Sequence, residues 1–157
     1  MDLAEIIPEN RVLIVKKKYT NKYRLLEYLL DRCVADTDIA NKRDVIWQTL
    51  QEREESMSTG IGLGVAIPHC SSEFVNDGLG LMAVTKQGID FQAVDDQPVR
   101  IIVLLLMPQK RFEKHIKILA TIARVFNDEK IRQKVLKTED PAQIFRIVAE
   151  AAEQTAT

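Results

Sequence analysis

The stretch RIIVLLLM, residues 100–107, runs apolar for seven successive positions after its arginine. A strand with one wet face would alternate apolar and polar side chains. This one does not, so it reads as a strand buried on both faces, with material packed above and below it. Asp95-Asp96-Gln97-Pro98 ahead of it is turn chemistry. Earlier still, residues 80–85 read as another strand, followed by Lys86-Gln87-Gly88 as a second turn. After Pro108 the apolar period lengthens from two to 3.6. Residues 112–126 predict a helix that buries Ile116, Leu119, Ala120, Ile122, Ala123 and Phe126. Two more helices are expected near residues 128–136 and 141–154, with Pro141 at a first helical position.

The N-terminal half repeats the alternation. Residues 12–15 read as a short strand. Thr20 or Asn21 can cap a helix over residues 22–33, whose Leu25, Leu26, Leu29, Leu30 and Cys33 share one face. Residues 34–40 connect to a helix over residues 42–56, with Val45, Ile46, Thr49 and Leu50 expected to face inward. Residues 65–67 read as strand. Helices alternating with strands place the chain in the α/β class, with helices over both faces of a sheet. A length of 157 residues favours one domain over residues 1–157. The strand order is not readable from these patterns.

Composition narrows the function. The 46% apolar and 29% charged residues are ordinary for a globular chain. A net charge of -1 and a pI near 6.2 argue against nucleic acid as a partner. Lys16-Lys17-Lys18 reads as a solvated strand end. Cys33 and Cys70 lack CxxC spacing, which favours a reducing cytoplasm over a disulfide framework. The start MDLAEIIPENR is too acidic for a signal peptide. No apolar run approaches the ~20 residues that span a bilayer, so direct membrane insertion is not expected.

The chemistry concentrates in STGIGLGVAIPHC, residues 58–70. Glycines at 60, 62 and 64 permit either a turn or bulge, or a concavity of backbone amides that holds an anion. The segment lacks the Gly-Lys-Ser/Thr ending and the GxGxxG spacing of nucleotide loops. It leads into His69, whose imidazole is either a structural histidine or a neutral nucleophile able to take a phosphoryl group. Pro68 fixes the backbone before it. Arg53, near the end of the preceding helix, could return its guanidinium to a phosphate. His115 sits in the first turn of the helix after the buried strand, where an imidazole can meet an anion.

The run REESMSTGIGLGVAIPH, residues 53–69, resembles the active-site signature of the fructose/mannitol-type EIIA domains of the phosphoenolpyruvate:sugar phosphotransferase system, a family that includes stand-alone nitrogen-regulatory proteins. GIDFQAVDDQPVRIIVLLLMP and KHIKILATIARVF extend the resemblance over nearly the whole chain. It implies a three-layer α/β/α sandwich around a mixed sheet. It implies a phosphotransferase component in which His69 accepts a phosphoryl group on Nε2 from the phosphocarrier HPr or its nitrogen-branch counterpart. His115 would contact that group, Arg53 would neutralise it, and Ser58, Thr59 and Gly60 would form the pocket entrance. No cofactor and no metal are implied. Cys70 departs from the glycine common after the histidine. The phosphate would pass to EIIB or be read by regulatory targets. The ending at Thr157 without an EIIB or membrane segment, and the wording STGIG, favour the nitrogen-regulatory job over sugar transport. A non-catalytic anion-sensing module and a metal site on His69, Cys70 and His115 are the competing readings.

Overall fold

The computed structural model describes residues 2–155. The sheet is built around β6 (Val99–Pro108), the strand expected from RIIVLLLM. β5 (Leu79–Ile89) runs antiparallel along one edge of β6, and β1 (Val12–Val15) runs parallel to β5. The other edge of β6 carries two short parallel strands end to end, β3 (Val65–Ala66) and β4 (His69–Ser72). β2 (Gly60–Gly62) pairs antiparallel with β3 at the rim. The six-stranded sheet is therefore mixed, in the order β1-β5-β6-β3-β2 with β4 also on β6.

Strand alternation divides the core into two layers. Ile102, Leu104 and Leu106 of β6 join Leu81 and Ala83 of β5 on one face. There they meet α2 (Lys22–Val34) and α3 (Arg43–Ser56) through Leu25, Leu29, Ile46 and Leu50. Ile101, Val103 and Leu105 point the other way with Met82 and Val84. That face is covered by α1 (Leu3–Ile6), α4 (Phe112–Asn127), α5 (Glu129–Lys137) and α6 (Pro141–Thr155). Asn21 caps α2 by accepting the Tyr23 amide at 2.8 Å, which settles the choice between Thr20 and Asn21.

Three expectations are corrected. Lys86-Gln87-Gly88 is not a turn. β5 continues through it to Ile89, and the register slips between Val84 and Ile89. These residues are exposed, so polar side chains do not interrupt the strand. Val45 is 52% exposed although Ile46 beside it is fully buried. Ile116 is 51% exposed, and Ile118 takes its place in the core. The short α1, β2 and β4 have no counterpart among the expected elements.

The contrast at residues 45 and 46 gives a direct test. Ile46→Ala should destabilise the protein by about 2–5 kcal/mol, because the side chain is enclosed between α3 and the sheet. Val45→Ala should change stability by less than about 0.5 kcal/mol. Urea denaturation followed by far-UV circular dichroism reads both values.

Candidate active site

The break between β3 and β4 positions the site. Proline has no N–H, so a strand paired on β6 cannot use Pro68 as a donor. Its carbonyl accepts the Leu105 amide at 3.0 Å, and pairing then resumes with His69 opposite Leu105. His69 is thus the first residue of a strand held on the central strand. The preceding glycine segment adopts turn geometry. β2 and β3 form a hairpin in which Gly62, Leu63 and Gly64 have φ of 94°, 60° and 77°. Gly60 lies against Ala93, whose Cβ would stand 2.7 Å from any added Cβ. No larger residue fits there without moving the backbone.

His69 is half-buried, and its Nδ1 lies 2.7 Å from the Ile67 carbonyl. A carbonyl only accepts, so Nδ1 carries the proton and Nε2 carries the lone pair of the neutral ring. Burial lowers the His69 pKa below its usual 6.5. The Ile67 hydrogen bond opposes that shift, the Arg53 guanidinium reinforces it, and the Glu54 carboxylate opposes it. His115, in the first turn of α4, is 6% exposed. Its pKa is also lowered, first by burial and then by the charge of His69. The two imidazoles expected to act together are therefore electrostatic neighbours, and both favour the neutral form.

Arg53 and His69 line one open depression of about 500 Å³. Ser58 and Thr59 line it too, while Met57, Ile61, Ile116 and Leu119 form an apolar rim. The Arg53 Nη1 donates to the Met57 carbonyl at 2.8 Å. The Ser58 hydroxyl donates to the Phe91 carbonyl and accepts the Gly60 amide at 3.1 Å. Thr59 is buried and donates both its amide, at 2.9 Å, and its hydroxyl to the Glu54 carboxylate. Ser58, Thr59 and Gly60 are thus knitted into the wall beside His69.

Two residues of this wall were not expected. Lys22 is 5% exposed and Glu54 is 2% exposed, and they pair at 3.0 Å. Lys22 also donates to the Phe91 carbonyl at 3.0 Å. The sequence does hold a signal for them. Lys22 stands three before Leu25 and seven before Leu29, and Glu54 stands four after Leu50 and eight after Ile46. Each charge therefore lies on an apolar helical stripe, and opposite charges on the buried stripes of two neighbouring helices can meet. Cys70 points into the core, where burial pushes its thiol up to about 12. Among the described residues no three of His, Cys, Asp or Glu gather as a metal-binding group. No helix among them is long and apolar enough to cross a membrane.

The chain as a whole is similar to known proteins. The family model described as "Phosphoenolpyruvate-dependent sugar phosphotransferase system, EIIA 2" matches residues 5–151. A fructose-specific EIIA component of Haloferax volcanii is 32% identical over 97% of both chains. A nitrogen regulatory protein of Bradyrhizobium diazoefficiens is 32% identical over 95% of both. Among solved structures, the nitrogen regulatory protein IIA-Ntr of Neisseria meningitidis superposes with a TM-score of 0.81 at 28% identity, over 93% of this chain and 98% of that one. The mannitol enzyme IIA of Escherichia coli, solved in complex with phosphorylated enzyme IIB, shares the fold at a TM-score of 0.70 and 15% identity, over 91% of this chain and 96% of that one. The chain belongs to the EIIA type 2 family of the phosphoenolpyruvate-dependent sugar phosphotransferase system and is a phosphocarrier component of it.

Proposed function

We propose that His69 Nε2 is the phosphoryl acceptor, that phospho-HPr or its nitrogen-branch counterpart is the donor, and that the phosphorylated form acts as a nitrogen-regulatory signal in the cytoplasm. One observation carries the acceptor assignment. The Nδ1 hydrogen bond to the Ile67 carbonyl commits the neutral ring to an Nε2 lone pair beside Arg53.

The transfer follows from that tautomer. Nε2 attacks the phosphorus in line, an N–P bond forms, and the donor imidazole leaves with the electrons of its own N–P bond. The His69 ring then carries positive charge, with the Nδ1 proton held by the Ile67 carbonyl. Arg53 offers its guanidinium to the equatorial oxygens, and His115 contacts the same group. Both bonds are of the same kind, so the exchange is close to balanced and suits a carrier. The apolar rim suits protein partners that dock around the histidine.

The regulatory output draws on the STGIG wording and on the nitrogen regulatory relatives. The equal identity to a fructose-specific EIIA component favours a second reading, in which phosphate moves on to EIIB. Labelled phosphate chased from the loaded protein onto a fructose-class EIIB separates the two. Rapid stoichiometric transfer supports transport, and retention supports the regulatory role.

Incubation with phosphoenolpyruvate, enzyme I and HPr should add about 80 Da, one phosphoryl group, in an acid-labile form. His69→Ala should abolish the adduct, and His115→Ala should slow its formation without abolishing it. Intact mass spectrometry at mildly basic pH reads each outcome.

The lowered His69 pKa sets the pH dependence. Neutral His69 is the nucleophile, so acceptance stays high as pH falls past 6.5 and drops only below it, where the ring protonates. Imidazole signals followed by NMR should give a His69 midpoint under 6.5. A midpoint above 6.5 contradicts the burial argument.

A further inference from the structure

Resting on His69 as phosphoryl acceptor, we propose that Glu54, neutralised by Lys22, is a positioning residue that holds Arg53 over the reacting group by clamping Thr59. The geometry of the α3 terminus carries this. Arg53 and Glu54 are consecutive residues of its last turn, so their side chains leave the helix in different directions. Glu54 turns inward and takes both the amide and the hydroxyl of Thr59. That closes the chain from residue 54 to residue 59 into a ring bridged by a side chain. Met57 lies inside the ring, and its carbonyl is the group that Arg53 Nη1 bonds at 2.8 Å. Ser56 closes the same turn by donating its hydroxyl to the Arg53 carbonyl at 2.7 Å. The guanidinium is thus aimed by a carbonyl whose place depends on the Glu54–Thr59 bonds.

Lys22 has two tasks in this arrangement. Its Nζ holds Glu54 at 3.0 Å and the Phe91 carbonyl at 3.0 Å. The Phe91 carbonyl also receives the Ser58 hydroxyl. One ammonium therefore ties α2, the end of α3 and the loop after β5 to a common point, and Ser58 joins the segment leading into β2 to it. It also offsets the carboxylate within the wall, so Arg53 faces the depression as the nearby cation, with no carboxylate ion-paired to it among the described residues. The charges that face His69 are Arg53 and Glu54 from α3, with His115 from α4 as its titratable neighbour.

A double-mutant cycle between Thr59→Val and Arg53→Ala tests the clamp without needing a donor protein. Thr59→Val leaves every charge in place. In the wild-type background Arg53→Ala should raise the His69 midpoint in an NMR titration, because the nearby cation is gone. In the Thr59→Val background the midpoint should already be raised, and Arg53→Ala should add little. An equal shift in both backgrounds, or no shift in either, overturns the proposal. Phosphoryl acceptance gives the second readout. Lys22→Met/Glu54→Gln removes the pair together and avoids an orphaned charge. It should slow acceptance roughly 10- to 100-fold, the scale of a misplaced catalytic group, and Arg53→Ala should cost little more on top. Folded variants with wild-type rates, or with effects that multiply independently, also overturn it. Absence of any adduct on the wild-type protein would sink the acceptor assignment instead, and the titration cycle would still decide the clamp.

Discussion

Everything in this protein is arranged around β6, a strand with no free edge and no wet face. Its backbone groups must be paired on both sides, because water does not reach them. β5 satisfies one edge over most of its length. The other edge is satisfied by two short strands in succession, and the seam between them falls at Pro68. Proline is tolerated there because the seam asks for an acceptor, which its carbonyl supplies to Leu105. The residue after the seam is the first that can both pair with β6 and stand clear of the packed middle. His69 occupies that place, so its backbone is held by the central strand of the sheet rather than by a loop.

Electrostatics around that histidine follow from which charges are cancelled. Burying a lysine or a glutamate alone is strongly unfavourable, and breaking such a pair by removing one partner costs about 3–5 kcal/mol. Lys22 and Glu54 are buried only as a pair. Because they offset one another, the cation at the mouth of the depression is the Arg53 guanidinium, bonded to a neutral carbonyl, while the Glu54 carboxylate still bears on His69. A doubly negative phosphoryl group would meet one cation and two imidazoles that burial keeps neutral. A protonated His69 would gain attraction for phosphate and lose its lone pair. Lowering its pKa therefore favours attack over mere binding.

Where the sequence was legible, one pattern sufficed. Uninterrupted, partly β-branched apolarity at residues 101–107 reads as a strand covered twice, and two core layers follow from it. The failures have separate physical causes. Lys86-Gln87-Gly88 has turn-like composition, yet its polar side chains sit on exposed positions of a strand, and Gly88 is there because Pro98 approaches closely, 2.7 Å from where a Cβ would stand. Val45 and Ile116 each extend an apolar helical stripe beyond what the sheet covers. Arg53, His69, Ser58 and Thr59 could be named from the sequence and do line one depression. What they bond to could not, because the Ile67 carbonyl, the Met57 carbonyl and the Glu54 carboxylate are tertiary partners. The buried pair was written on the stripes of two helices, but seeing it required knowing that those helices are neighbours.

The misassigned Ile116 bears on how a carrier works. A helix buries as much of its apolar face as the layer beneath it can cover, and α4 carries more than that. The surplus lies with Met57 and Ile61 around the depression, so the apolar excess and the His69 imidazole share one surface. A phosphoryl group held on nitrogen is exposed to water whenever no partner is present. A rim that a partner can dry on docking lets transfer take place away from solvent. If His69 is the acceptor as proposed, donor and acceptor use the same rim and the same nucleophile, so they bind in turn. The rim therefore has to be adaptable, and flexible Met57 with small-area aliphatic contacts meets that need better than a deep, shape-specific pocket would.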